Sequence, residues 1–308
     1  MRRITQTPLA LALLGLPIQA QTTTFNLADI DDPFGSNTQE FGRSLDVSGP
    51  FGVVGSDDGA WLLERQDSGL WTLGPELTPF DGNSNIGFGR AVAMDGERLA
   101  IGAPTDSGSG VETGSVYLFN RFGDQWFPGA KLFLPSALDQ VEFAASLALD
   151  GDRLVVGSPR AKSPFNNART GLVHVFDRQP DGNWALDATL AVQSGADDLR
   201  FGHAVALDGD RLVVGAPYED LVFKAGTAFV FERGSDGSWK LIRELTPMGT
   251  QINDAYGTAV ALVDEEIAVG APRYDGATLD SGAVVMWGLA GNLWKEGALL
   301  EAPSILFG

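Results

Sequence analysis

The chain has 308 residues, 44% of them hydrophobic and 20% charged, with 39 glycines and 16 prolines. That is enough apolar material for a packed core, and a glycine and proline content that suits short strands and tight turns. Asp and Glu number 40 against 21 Lys and Arg, for a formal charge of −19, which excludes electrostatic capture of nucleic acid or of an anionic membrane. There is no cysteine, and His174 and His203 are the two histidines, so disulfides, thiolate metal sites, iron–sulfur clusters and a cysteine nucleophile are excluded as well.

In chain order the first element is a secretory leader. Arg2 and Arg3 precede an apolar run over residues 8–16, and Pro17, Ile18, Gln19 and Ala20 supply a break and a small residue before Gln21. This is the layout of a signal peptide over residues 1–20, too short to span a bilayer. The chain is therefore expected to be secreted, at the cell surface or periplasmic, and an exported chain without cysteine fits a bacterial source. No integral membrane segment is expected. Residues 21–40 form an N-terminal strand and linker, with residues 23–28 placed like an outer strand ahead of the next unit.

From residue 41 onward the sequence repeats. An aromatic–small pair recurs as Phe41-Gly42, Phe88-Gly89, Phe143-Ala144, Phe201-Gly202 and Tyr256-Gly257, and a glycine follows each aromatic by 14 residues: Gly55, Gly102, Gly157, Gly215 and Gly270. The last four open Gly-Ala-Pro or Gly-Ser-Pro. Trp71, Trp126, Trp184, Trp239 and Trp294 close the units, which run over residues 41–87, 88–142, 143–200, 201–255 and 256–306. Three markers in fixed order define a repeat protein. The first unit is abbreviated, because Gly59 follows Gly55 closely.

Within a unit, Ala204-Val205-Ala206-Leu207 and Arg211-Leu212-Val213-Val214 flank Asp208-Gly209, a strong hairpin signal. Residues 227–233 and 239–245 supply two more strands around Asp236-Gly237. The innermost strand alternates small and large residues with neither side polar, as a strand covered on both faces does. The expected fold is all-β: a β-propeller of four-stranded antiparallel blades with five repeats visible. The alternative is a truncated six- or seven-bladed propeller, since Phe307-Gly308 lies 51 residues after Tyr256-Gly257, in phase for a further repeat.

The Phe-Gly start and Gly-Ala-Pro end of each first hairpin resemble FG-GAP repeats, the blades of the integrin α-chain propeller and of many bacterial secreted proteins. The resemblance covers residues 41–303 and implies a propeller that serves ligand binding or adhesion. It departs from the integrin pattern at the turn, where the family's calcium loop is replaced by Asp95-Gly96-Glu97, Asp150-Gly151-Asp152, Asp208-Gly209-Asp210 and Asp264-Glu265. A two-residue hairpin cannot supply six to eight oxygen ligands. No cofactor is expected, no metal ligand is assigned, and calcium at the family's position is not carried over.

In a propeller the tight turns fall on one face and the longer loops on the other, and the longer loops are the part that varies here. Asp106, Tyr218, Glu219, Asp220, Tyr274 and Asp275 are the candidate ligand-binding residues, for a protein or glycan outside the cell. Phe165, Phe223 and Asp280 lie on the same loops. His174 fills a strand slot held by Tyr117, Phe229 and Val285 in other units and is expected to be packed. No nucleophile elbow, zinc-protease motif or phosphate loop is present, so no catalytic residue is assigned. Two alternatives stand beside a binding module: a polysaccharide hydrolase or lyase with axial carboxylates, and a structural module of a larger surface protein.

Overall fold

The structure is a computed structural model that describes residues 40–107, 113–134, 142–165, 167–193, 198–218, 225–249, 251, 253–276 and 278–301. The leader, most of the linker, and Glu219, Asp220 and Phe223 of the candidate residues lie outside that set.

Among the described residues every element is a strand, and the strands form five four-stranded antiparallel sheets. The first is β1 (Ser44–Ser48), β2 (Phe51–Gly55), β3 (Ala60–Arg65) and β4 (Trp71–Leu77). The second is β5 (Ala91–Asp95), β6 (Arg98–Ala103), β7 (Ser115–Phe122) and β8 (Gln125–Leu132). The third is β9 (Ser146–Asp150), β10 (Arg153–Ser158), β11 (Leu172–Arg178) and β12 (Trp184–Leu190). The fourth is β13 (Ala204–Asp208), β14 (Arg211–Ala216), β15 (Thr227–Arg233) and β16 (Trp239–Leu245), and the fifth is β17 (Ala259–Val263), β18 (Glu266–Ala271), β19 (Ala283–Ala290) and β20 (Leu293–Glu301). Strands follow chain order in each sheet, so every sheet is a meander, and the abbreviated first unit still supplies all four strands.

The constant interval of 14 is a hairpin register. Three residues after each aromatic, Ser44, Ala91, Ser146, Ala204 and Ala259 pair with Gly55, Gly102, Gly157, Gly215 and Gly270. The glycines are required by the neighbouring blade. A Cβ on Gly55, Gly102, Gly157 or Gly215 would come within 2.0–2.4 Å of the carbonyl oxygen of Gly89, Ala144, Gly202 or Gly257, the small residue of the next aromatic pair. No side chain fits there. That small residue turns the chain with positive φ, which Ala144 also adopts at 72°. Its partners Phe88, Phe143, Phe201 and Tyr256 are fully buried between blades.

Four large hydrophobic clusters each span one joint between consecutive blades. The alternation of the innermost strand explains how. Ala91 and Ala93 pack toward the following blade, in a cluster with Phe143 and Leu147, whereas Val92 and Met94 pack toward the preceding one, with Val53 and Leu62. Each interior innermost strand is therefore sandwiched, and burying such apolar faces contributes about 25 cal/mol per Å². The two ends depart from the expectation of two covered faces: Leu45 and Val47 of β1 and Val263 of β17 are exposed.

Candidate functional site

The two ends of the strands have been put to different uses. On the tight-turn side three of the four joints are stapled alike. The carboxylate Oδ2 of Asp95, Asp150 and Asp208 accepts the backbone N–H of Gly151, Gly209 and Asp264 in the next blade, at 2.7, 2.6 and 2.6 Å. In the first joint Ser48 substitutes, its Oγ accepting the Gly96 N–H at 2.9 Å. Arg98, Arg153 and Arg211 each donate to the next turn's carbonyl, on Gly151, Gly209 and Asp264, at 2.9–3.1 Å. The open hollow on this side, about 290 Å³, is lined by Asp150, Asp152, Arg153, Asp177, Arg178 and Asp210. Those charges already pair with one another, Arg153 with Asp177 at 2.9 Å and with Asp210 at 3.1 Å, and Arg178 with Asp152 at 3.5 Å.

The loop side repeats only its backbone. At its side chains the slot after the Gly-Ala-Pro or Gly-Ser-Pro corner holds Asp106, Ala161 and Tyr274 in the second, third and fifth blades. The facing β7-type slot holds Tyr117, His174, Phe229 and Val285, which pair across to Lys131, Thr189, Glu244 and Leu299 on the outer strand. Among the described residues, only the second blade combines these into a charged group. Lys131 Nζ lies 2.5 Å from Asp81 Oδ2 and 2.6 Å from Asp106 Oδ2. The Tyr117 hydroxyl is within 3.0–3.1 Å of the Asp81 oxygens and 3.0 Å of Asp106 Oδ2. Asn83 Nδ2 donates to Asp106 Oδ1 at 3.2 Å and to Asp81 Oδ2 at 3.3 Å. Two carboxylates around one ammonium leave the group with one net negative charge.

Burial pushes the Asp81 carboxyl up, but the hydrogen bond from Lys131, with those from Asn83 and Tyr117, outweighs it and holds the group below the usual carboxylate range. Burial alone would lower Lys131; its bonds to Asp106 and Asp81 raise it instead. The Tyr117 phenol is raised, first by burial and then by the two carboxylates. All three shifts fix Lys131 as a cation, Tyr117 as a neutral donor and Asp81 as an anion. The group therefore pins the loops that carry Asp81 and Asp106, rather than poising a proton for transfer near neutral pH.

The candidate residues do not form one cluster. Asp106 is fully buried within the group just described. Tyr218, in the fourth blade, is 37% exposed, with the Arg200 guanidinium 4.2 Å from its ring centre. Tyr274 is half-buried against the core of the fourth joint. Asp275 is exposed, and its Oδ1 accepts the Asp280 N–H at 2.8 Å. Asp254 nearby is buried, and its carboxyl is pushed up first by that burial, with Asp275 adding to the rise. Of the residues around Asp106, Asp81, Asn83 and Lys131 were not foreseen. Lys131 stands alone against Thr189, Glu244 and Leu299 in the equivalent outer-strand slots, and that is the signal the sequence held.

Among the described residues no group of three His, Asp or Glu is placed to hold a metal ion. His174 is buried as expected: its Nδ1 lies 3.2 Å from Thr189 Oγ1, its Nε2 has no partner, and burial lowers its pKa to about 4. Nor do the described residues include a helix long and apolar enough to cross a membrane.

Repeated meander sheets, stacked through their innermost strands with small-against-large faces, define a β-propeller of recurrent blades. The FG-GAP repeat model matches residues 71–119, 184–231 and 239–285. FG-GAP repeats are thus present in three places, and the repeated four-stranded sheets fit an FG-GAP β-propeller. Each match begins on an outer strand and crosses into the next blade's third strand, so the matched unit straddles a joint; the second joint, with Phe143-Ala144 and Gly157-Ser158, falls outside them. No curated protein matches the chain.

Proposed function

We propose that this protein is a secreted, non-catalytic binding or adhesion module that recognises a protein, glycan or other surface ligand through its loop face. The observation that carries the reading is the contrast between the two faces. The turn side repeats one staple from joint to joint, its Asp and Arg groups spent on the neighbouring blade. The loop side differs from blade to blade, with the pinned Asp81–Lys131–Asp106 group in one and exposed aromatics such as Tyr218 in another. A rigid scaffold with divergent loops is the arrangement that recognition uses. The signal-peptide layout of residues 1–20 in the sequence supports a location outside the cytoplasm.

The test is an array of glycans and matrix-type proteins probed with the purified chain, with and without calcium. A ligand is expected whose binding falls at least tenfold in Tyr218→Ala or when the loop carrying Asp275 is exchanged for that of the third blade. Substitutions at Asp152 and Asp210 on the turn side leave it unchanged. Binding that follows the turn-side residues, or release of sugar from a polysaccharide by the purified chain, overturns the reading.

A further inference from the structure

Six buried side-chain polar atoms among the described residues have no hydrogen-bond partner in the chain, and three of them fall at the loop-side end of the third blade: Ser158 Oγ, Thr170 Oγ1 and His174 Nε2. Ser158 and Thr170 are fully buried, and His174 is 1% exposed. The register places two of the three on one face. Ser158 pairs with Leu172 and Val156 with His174, so both side chains lie on the face whose Leu154, Val156 and Phe176 pack against the second blade. The Phe143 ring borders the same spot, its centre 5.6 Å from that of the imidazole. Thr170 precedes Leu172 by two residues, and its backbone is held by the Phe201 N–H, which donates to its carbonyl at 2.8 Å.

The neighbouring blades show how the same slots are otherwise filled. In the fourth they hold Ala216, Ala225 and Phe229, all buried and apolar. In the second the tyrosine slot is polar, but the Tyr117 hydroxyl is bonded to Asp81 and Asp106, with Lys131 beside them. Against that group the third blade has a shorter side chain at each place: Ala161 for Asp106, His174 for Tyr117 and Thr189 for Lys131. His174 Nδ1 meets Thr189 Oγ1 at 3.2 Å. The third blade therefore keeps a polar lining and drops the charged groups that satisfy it in the second.

The chemistry of that lining selects what pairs with it. A buried donor or acceptor left unpaired costs free energy, and native chains pair nearly all of theirs with protein or ordered water. Burial keeps the imidazole neutral, with its pKa lowered to about 4, and the other two groups are hydroxyls that both give and take a hydrogen bond. An ion would find no counter-charge there, whereas a buried water makes about three hydrogen bonds of either sense.

We propose that the second joint encloses an internal water site, with His174 Nε2, Ser158 Oγ and Thr170 Oγ1 as its ligands. The water does between the second and third blades what the Asp81–Lys131–Asp106 group does between the first and second. The site falls in the stretch between the first two FG-GAP matches, where the corner reads Gly-Ser-Pro instead of Gly-Ala-Pro.

Oxygen-17 relaxation dispersion of water in solutions of the full chain, at neutral pH, tests this by counting waters held for longer than microseconds. The variant carrying the fourth blade's residues, Ser158→Ala with Thr170→Ala and His174→Phe, is expected to hold at least one fewer than the wild type. The double variant without the histidine change loses the same water, so the count does not depend on the ring replacement being tolerated. Ser158→Ala alone, which installs the residue of the other corners, is expected to lower the melting temperature by about 2 °C, because the water loses a ligand. A rise in melting temperature would mean that the hydroxyl was unsatisfied, and a fall with an unchanged water count that it was bonded within the chain. Either result overturns the proposal, as does a double variant that holds as many long-lived waters as the wild type.

Discussion

The carbonyl oxygen of Gly257 lies 2.0 Å from the point a Cβ on Gly215 would occupy. These residues sit in different blades, and their approach is what the two halves of the repeat signature accomplish together. Gly215 is not among the residues with positive φ, so backbone strain does not explain the glycine; the neighbour does. Gly215→Ala is therefore expected to destabilise the fold by roughly 3 kcal/mol, as overpacking at a rigid contact does. The same change at Gly270, where the nearest atom is a Cβ at 3.4 Å, is expected to cost less than about 1 kcal/mol. Urea denaturation of the two variants at low protein concentration measures the difference, and equal losses would show that the close approach is not what the glycine serves.

The turn-side staple makes a second contrast. Asp150 accepts the Gly209 N–H at 2.6 Å across the third joint, and its counterpart in the fifth blade is Val263, which is exposed. Asp150→Ala leaves a turn amide without its carboxylate, at an expected cost of about 1 kcal/mol given the exposure of the bond to solvent. Val263→Asp restores the motif where no described blade follows and is expected to leave stability unchanged. Thermal melts of the two variants read this directly.

Much of this was legible before any coordinates. The meander of four strands, the hairpin register and the small-and-large alternation all follow from local spacing, because a strand's period and a tight turn's demands are written in adjacent residues. Whether a face has a neighbour is not local. Leu45 and Val47 alternate just as Val92 and Met94 do, yet only the latter pair is covered. The loop site suffers the same limit. Asp106 reads as one more loop carboxylate, while its partners Asp81 and Lys131 lie in the preceding linker and on an outer strand. Only the fold brings them within reach of each other, and by doing so it buries the very residue that loop position alone marks as available to a ligand.

That buried group yields a third prediction. Lys131→Met keeps the length of the side chain but removes the cation shared by Asp81 and Asp106, leaving the fully buried Asp106 with only Tyr117 and Asn83 to satisfy it. Breaking one partner of such a set is expected to cost about 3 kcal/mol. Replacing Asp106 and Lys131 by their third-blade counterparts, Asp106→Ala and Lys131→Thr together, is expected to recover part of that loss, because the fully buried carboxylate is then gone and the more exposed Asp81 keeps its hydrogen bonds to Tyr117 and Asn83. A double-mutant cycle on Asp106 and Lys131, read by denaturant midpoints, gives the coupling; additive losses would mean that the pair does not act as a unit.

His174 yields the last prediction, in pH rather than in charge pairing. Its ring lies against Phe143, 5.6 Å between centres, and with Nε2 unpartnered it is folded in as the neutral base. Burial holds its pKa at about 4, against an ordinary value of 6.5. The unfolded chain therefore takes up a proton that the folded chain refuses as pH falls from about 6.5 toward 4. Stability contributed by the neutral ring is complete above that window and declines through it, by up to about 3 kcal/mol at the lower edge. His174→Phe installs the residue that Phe229 supplies in the fourth blade and removes the unpartnered nitrogen. Its denaturation midpoint is expected to match the wild type's more closely near neutral pH than at pH 4, where the variant becomes the more stable of the two. Carboxylates titrate in the same range, but they are common to both chains, so the difference between the two pH profiles isolates the imidazole; parallel profiles would mean that the ring protonates as readily folded as unfolded.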